Sequence, residues 1–214
     1  MIAMEKDDTD IKRKPGRPRG FDRDAALDAA MRTFWAHGYE TTSISDLTAA
    51  MGINAPALYS AFGDKKRLFL EALALYRGDP EAEAEAISAA PTAGDAARMI
   101  LFGAIERFTG DQTPKGCLIA SSLATGSPAS EDVRAEAATI RQSVAENLRQ
   151  RIARDARDGI LPDGADTEAL AGMIVCTVQG LSALARDGAP RARLERIATA
   201  VLAGWPDREA VSVA

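Results

Sequence analysis

Histidine is nearly missing from this chain. Only His37 occurs among 214 residues, with two cysteines, Cys117 and Cys176, and aromatics at 5%. No nucleophile–histidine pair, zinc-binding spacing or phosphate-cradling glycine loop can be drawn from that inventory, so an enzyme is poorly supported and no cofactor is expected. Two distant cysteines give no disulfide framework, and they leave only a thiolate copper(I) site as a metal alternative. Missing too is any uninterrupted apolar run of about 18 residues, so no transmembrane helix is expected. The opening "MIAMEKDDTDIKRK" lacks the apolar centre and cleavage site of a secretory signal. A cytoplasmic protein is the expectation.

Positive charge is also short overall. The net charge of −5 argues against a uniformly basic nucleic-acid binder. Its distribution is uneven: residues 11–78 carry about 11 Lys and Arg against about 7 Asp and Glu, while residues 79–214 carry about 14 against about 20. The two parts of the chain have different electrical characters, which suggests different tasks.

What is abundant is helix-forming sequence: long runs favour Ala, Leu, Glu and Arg over Val, Thr and Tyr, which points to an all-α protein. Residues 1–20 have charge, Pro and Gly but no hydrophobic periodicity, and are expected to form a disordered basic arm. From Asp22, Ala26, Leu27, Ala30, Met31 and Phe34 mark one helical face, with Phe21 placed to staple onto it. His37-Gly38 ends that helix. Ser43 with Asp46 reads as a capping-box variant opening a short helix that Gly52 breaks. Asn54 caps a second short helix, which tolerates Pro56 in its first turn. Gly63 ends it, and Asp64 caps a longer helix through Leu68, Phe69, Ala72, Leu73 and Tyr76. Beyond Gly78 come longer helices. "EAEAEA" at 81–86 reads as a solvated helix extension, residues 130–158 as a charged amphipathic helix, and the apolar stretch after Asp166 as a helix buried on more than one side.

The segment "GYETTSISDLTAAMGINAPALYSAFGDKKRLFLEAL", with Gly-Tyr before the Thr-Thr-Ser cap and Leu58-Tyr59 and Phe62 before Asp64-Lys65, closely resembles the N-terminal domain of TetR/AcrR-type transcriptional regulators. "KGCLIASS" resembles a Gly-Cys-Leu segment found in some of them. The resemblance implies an N-terminal three-helix helix-turn-helix DNA-binding domain (21–66) and a C-terminal helical ligand-binding and dimerisation domain (67–214). It also implies a homodimer formed through the last two long helices, which binds palindromic operator DNA, acts as a repressor and is released by a small-molecule inducer.

Contacts to DNA divide into those that position and those that read. Thr42 and Ser43 at one helix start, and Lys65 at another, suit phosphates. Tyr59 offers a hydroxyl to the backbone and a ring to sugar or a thymine methyl. Asn54, Ala55, Ala57 and Ser60 are the candidate readers, since Asn can pair with adenine and alanines can touch thymine methyls. Arg17 and Arg19, in "KRKPGRPRG", suit a narrow minor groove. Leu47, Ile53, Leu58 and Phe62 read as core.

For the ligand, Met99, Phe102, Ile105, Phe108, Leu123, Met173 and Gln179 are the candidate lining, favouring a modest, mainly apolar molecule. Cys117 follows Lys115-Gly116, where a helix start and an ammonium can activate a thiol. It is therefore both a lining candidate and the basis of an alternative, an electrophile- or oxidant-sensing repressor. A small apolar core residue is the competing reading for Cys117 and for Cys176.

Overall fold

The capping signals become helix boundaries. In the computed structural model, which describes residues 20–121 and 130–206, ten helices and no strands occur among the described residues. Arg17, Arg19 and Leu123 lie outside them. Asp22 caps α1 (Arg23–His37) by accepting from the Asp24 and Ala25 amides at 3.0 and 3.1 Å. Ser43 and Asp46 cap α2 (Ile44–Met51) reciprocally, satisfying two amides that a helix start otherwise leaves open. Gly52 adopts the left-handed conformation at φ 64°, where a side chain is strained, and so turns the chain sharply into the next helix. Asn54 Oδ1 accepts from the Ala57 amide at 2.9 Å to start α3 (Ala55–Phe62), and Asp64 accepts from Arg67 at 2.8 Å to start α4 (Lys65–Arg77).

These four helices close around Phe34, Leu47, Leu58, Leu68 and Phe69, all fully buried. The Phe34 and Phe69 rings meet edge-on at 5.0 Å, and Tyr39 meets Phe69 at the same separation. α1 packs chiefly on α4 and α2, while α4 also touches the C-terminal body. The boundary expected at residue 66 therefore falls inside a helix that belongs to both parts. Phe21 packs against this core as a staple would.

The body contains α5 (Pro80–Ala89), α6 (Ala93–Thr109), the single turn α7 (Leu118–Ser121), α8 (Glu131–Arg157), α9 (Thr167–Arg186) and α10 (Arg191–Ala203). α6 packs on α9 and α10, and α8 lies along α9. The "EAEAEA" stretch is not an extension of α4 but a helix of its own. Asp79 caps it, Pro80 occupies its first turn and Ile87 anchors it against the body.

A buried ion pair fixes α8. Arg151 pairs with Asp155 and donates to the Ala90 and Pro91 carbonyls at 3.2 and 2.7 Å, while Asp155 accepts from the Ala93 amide at 2.6 Å. The carbonyls and the amide belong to the α5–α6 turn, so the pair's spare hydrogen-bonding capacity is spent on tying that turn down.

Within the single chain α9 is buried on one face. Ala171, Ile174, Leu181, Ser182 and Ala185 face the body, whereas Ala169, Cys176, Gly180 and Ala183 are exposed. An 18-residue window of α9 has mean hydropathy 1.5, enough by length and composition to cross a membrane. Here the apolar character divides between a face buried in the body and an open face of small residues.

Candidate DNA-binding face and ligand cavity

α2 and α3 meet through Leu47, Met51, Leu58 and Phe62, which are buried. That packing turns the rest of α3 outward. Asn54, Tyr59 and Ser60 are exposed, Tyr59 at 49%, with Ala55 and Ala57 half-buried between them. The candidate readers thus share one surface of small side chains with an aromatic hydroxyl beside them. Asn54 uses Oδ1 as a helix cap, so its amide nitrogen is the group left for a base.

Of the three candidate positioning residues, Ser43 and Lys65 lie at helix starts and Thr42 is enclosed. Ser43 is exposed at the start of α2, where its hydroxyl also donates to Asp46 Oδ2 at 2.6 Å. That bond and the one from the Ser43 amide hold the Asp46 carboxyl below its ordinary pKa. Lys65 Nζ stands 4.6 Å over the Tyr39 ring and donates weakly to the Glu40 carbonyl at 3.4 Å. Burial draws its pKa down, against the opposing pull of the Glu40 carboxylate. Tyr39, in the Gly-Tyr pair, thereby steers the ammonium at the start of α4. Thr42 is the correction. It is 1% exposed and its hydroxyl donates to the Gly38 carbonyl at 2.6 Å, so it ties the α1–α2 turn together instead of offering a hydroxyl to phosphate.

Within the body, α4, α5, α6, α8 and α9, with the α7 turn, line a cavity of about 430 Å³ that opens to solvent beside the exposed Met99 and Arg107. Of the expected lining, Met99, Phe108, Cys117 and Gln179 face it. Phe102, Ile105 and Met173 do not. Ile105 is fully buried in the core, Phe102 lies under the Arg98 guanidinium at 5.7 Å, and Met173 packs against the core elsewhere. The wall also contains Arg77, Arg107 and Arg141, with Asp79 and Glu83. Sequence periodicity gives no sign of these, because three separate helices contribute the arginines. Arg77 Nε, Glu83 Oε2 and Gln179 Oε1 are buried without hydrogen-bond partners. A second opening, about 560 Å³, lies between the α1–α2 turn and α7–α9, where Ser121 and Ser130 carry its wall to the edge of residues 122–129. The smaller cavity is lined by described residues on every side, among them Arg77, Glu83 and Gln179, which makes it the better ligand candidate.

The backbone at Gly116-Cys117 links cavity and head. Trp35 of α1 donates its indole N–H to the Gly116 carbonyl at 2.8 Å. Arg186 of α9 donates to the Trp35 and Cys117 carbonyls at 3.0 and 3.2 Å, and the Cys117 amide donates to Ser182 Oγ at 2.9 Å. Gly116 has φ 79°, and a Cβ there would stand 2.6 Å from Arg186 Cγ and 2.9 Å from the Ser182 carbonyl. Only glycine fits between α1 and α9. The Trp35 ring meets Tyr76 edge-on at 4.8 Å. Burial pushes the Tyr76 phenol well above its ordinary pKa, with the neighbouring Cys117 thiol adding to the shift. Cys117 is buried and Cys176 exposed. The sequence marked Cys117 for its thiol, whereas its backbone is what joins the elements.

Comparison with known proteins gives consistent matches along the chain. Residues 26–72 match the family model for bacterial regulatory proteins of the tetR family, and residues 98–201 match the tetracyclin repressor-like C-terminal domain. The HTH-type transcriptional repressor ComR of Escherichia coli (strain K12) is 39% identical over 200 residues, covering 92% of this chain and 95% of that protein. A cysteine-substituted variant of the regulator CifR, complexed with 26-base-pair double-strand operator DNA, superimposes with a TM-score of 0.83 at 41% identity, over 89% of this chain and 100% of that one. A putative regulator from Rhodococcus sp. RHA1 is 39% identical with a TM-score of 0.57, over 87% of this chain and 100% of its own.

Proposed function

The chain belongs to the TetR family of bacterial regulatory proteins, and from that premise we propose that it is a ligand-responsive transcriptional repressor that binds palindromic operator DNA as a homodimer. α3 meets the major groove through Asn54, Ala55, Ala57, Tyr59 and Ser60, while Ser43 and Lys65 hold phosphates on either side. With few side chains able to pair with guanine, sequence preference rests on adenine, thymine methyls and DNA shape. The basic arm adds Arg17 and Arg19 in the minor groove. The open small-residue face of α9, with α10 beside it, receives the second copy. A DNA-bound repressor of this type works in the cytoplasm.

The observation that supports ligand control is the Gly116-Cys117 junction. Cys117 lines the cavity and its backbone is hydrogen-bonded to Arg186 and Ser182 of α9, while the adjoining Gly116 carbonyl accepts from Trp35 of α1. An occupant that shifts α7 therefore acts on the helix that carries the DNA-binding head. A mobility-shift assay on the DNA flanking this gene tests the reading. Tyr59→Ala and Lys65→Ala each weaken binding while the dimer and the melting temperature persist. Deleting residues 1–19 lowers affinity and flattens the salt dependence, with each lost phosphate contact reducing the slope by about 0.9. Undiminished binding by all three variants rules the contact assignments out.

A second reading has its own support, since the Cys117 thiol faces the cavity and any electrophile admitted there would meet it. Normal induction of Cys117→Ser by every inducer of the parent protein rules out thiol modification as the signal.

A further inference from the structure

We propose that the cavity takes an organic monoanion, a carboxylate attached to an apolar body, held by Arg107 and Arg141; this rests on the ligand-responsive reading above. Three guanidinium groups face a wall otherwise furnished by Ile100, Phe108, Ile119, Val144, Val175 and Val178. Their partners differ. Arg77 donates to Ser143 Oγ at 2.7 Å and stands 4.0 Å from Glu83 Oε2. Among the described residues, Arg141 donates only to the Ile119 carbonyl, at 3.4 Å, and Arg107 lies 5.6 Å from the Tyr76 ring centre. Among the described residues neither pairs with a carboxylate.

Burial draws the Arg141 pKa down, with the Cys117 thiol acting in the opposite direction. A guanidinium does not give up its proton in a protein, so the desolvation is relieved by an anion instead. Arginine is also the side chain best shaped to grip a carboxylate through two parallel N–H bonds. Arg77 Nε adds a buried donor with no acceptor.

The charges on the wall set the valence. Asp79 is occupied in capping α5, and Glu83 Oε2 is buried beside Arg77 without a hydrogen-bond partner among the described residues. Three guanidiniums against these two carboxylates leave one positive charge in excess. That suits a monoanion and disfavours a doubly charged phosphate, which would face Glu83 without compensation. A cavity of about 430 Å³ lies in the range of small-ligand sites, about 300–1,000 Å³, and has room for a medium-length chain or a single ring.

Calorimetric titration of the full-length protein with straight-chain carboxylates from hexanoate to dodecanoate, and with the matching alcohols, tests this. At least one carboxylate is expected to bind about tenfold or more tightly than its alcohol, the value of one hydrogen bond to a charged group. Arg141→Met and Arg107→Met are each expected to remove about tenfold of carboxylate affinity, and Arg141→Lys to restore part of the loss. Arg107 is exposed, so its substitution reads the charge without disturbing the core. Alcohols that match the carboxylates, carboxylates that fail to bind, or affinities indifferent to both methionine variants overturn the proposal. Release of DNA by a neutral compound, unchanged in the arginine variants, also overturns it but leaves ligand control standing. Failure of the protein to bind DNA at all defeats the repressor reading instead, and the titrations still decide what the cavity prefers.

Discussion

Neighbouring hydroxyls on one short turn have opposite meanings. Thr42 is enclosed and bonded to Gly38, whereas Ser43 is open to solvent at the start of α2. Thr42→Val keeps the shape and removes one buried hydrogen bond, leaving the Gly38 carbonyl without that donor. It is expected to cost about 1–3 kcal/mol of stability, read as a lower denaturation midpoint. Operator affinity measured well below that midpoint stays near that of the parent protein. Tyr59→Phe is the reverse case, because its ring is already half exposed. Its melting curve is expected to stay put, while DNA binding is expected to weaken by about fivefold to tenfold if the proposed phosphate hydrogen bond is lost. At this scale the caps of the first four helices were legible, since Asp22, Ser43, Asn54 and Asp64 act on amides two or three residues away. The burial of Thr42 was not, because it depends on how α1 returns against α2, which no local pattern encodes.

At the scale of the element, α8 is a long charged helix whose interior pair decides where the α5–α6 turn sits. Removing one partner strands the other charge in a dry site. Asp155→Ala is therefore expected to destabilise the fold by about 3–5 kcal/mol, measured by chemical denaturation. Arg151→Met combined with Asp155→Leu is expected to recover much of that loss, since the pair then disappears together with its desolvation cost. No recovery in the double variant would mean that the hydrogen bonds to Ala90, Pro91 and Ala93, not the pairing, carry the stability. Element positions were largely legible from capping and periodicity, but their surroundings were less so. α5 reads as polar and therefore as an extension, yet its one buried residue, Ile87, packs into the body and Arg151 holds the turn that follows it. α9 reads as apolar all round and therefore as enclosed, because composition cannot separate a face that meets the body from a face left open to a second copy.

For the whole molecule, the question is how a cavity in the body reaches a helix in the head, and where two chains meet. The cavity arginines come from Arg77, Arg107 and Arg141, and Trp35 meets Gly116 across 81 residues of sequence. No periodicity joins such positions, which is why the arginines and the Trp35–Gly116 bond left no sign in the sequence. Trp35→Phe keeps an aromatic ring near Tyr76 but loses the indole donor to Gly116. It is expected to bind operator nearly normally and to need about tenfold more inducer for release, the equivalent of about 1.4 kcal/mol of coupling. Equal inducer response in a titrated mobility shift would put the route elsewhere.

The proposed homodimer has a simpler reporter. Cys176 lies near the middle of α9, on the face that also exposes Ala169, Gly180 and Ala183. If that face packs on its own copy about a two-fold axis, residues near the centre of the helix face their counterparts. Small side chains let the helix axes approach to about 8 Å, within reach of a short bismaleimide. Cross-linking the native protein is expected to give covalent dimer, and Cys176→Ser to abolish it, with the buried Cys117 serving as an internal control in the same chain. A dimer that sediments normally yet yields no Cys176 cross-link would move the interface off α9.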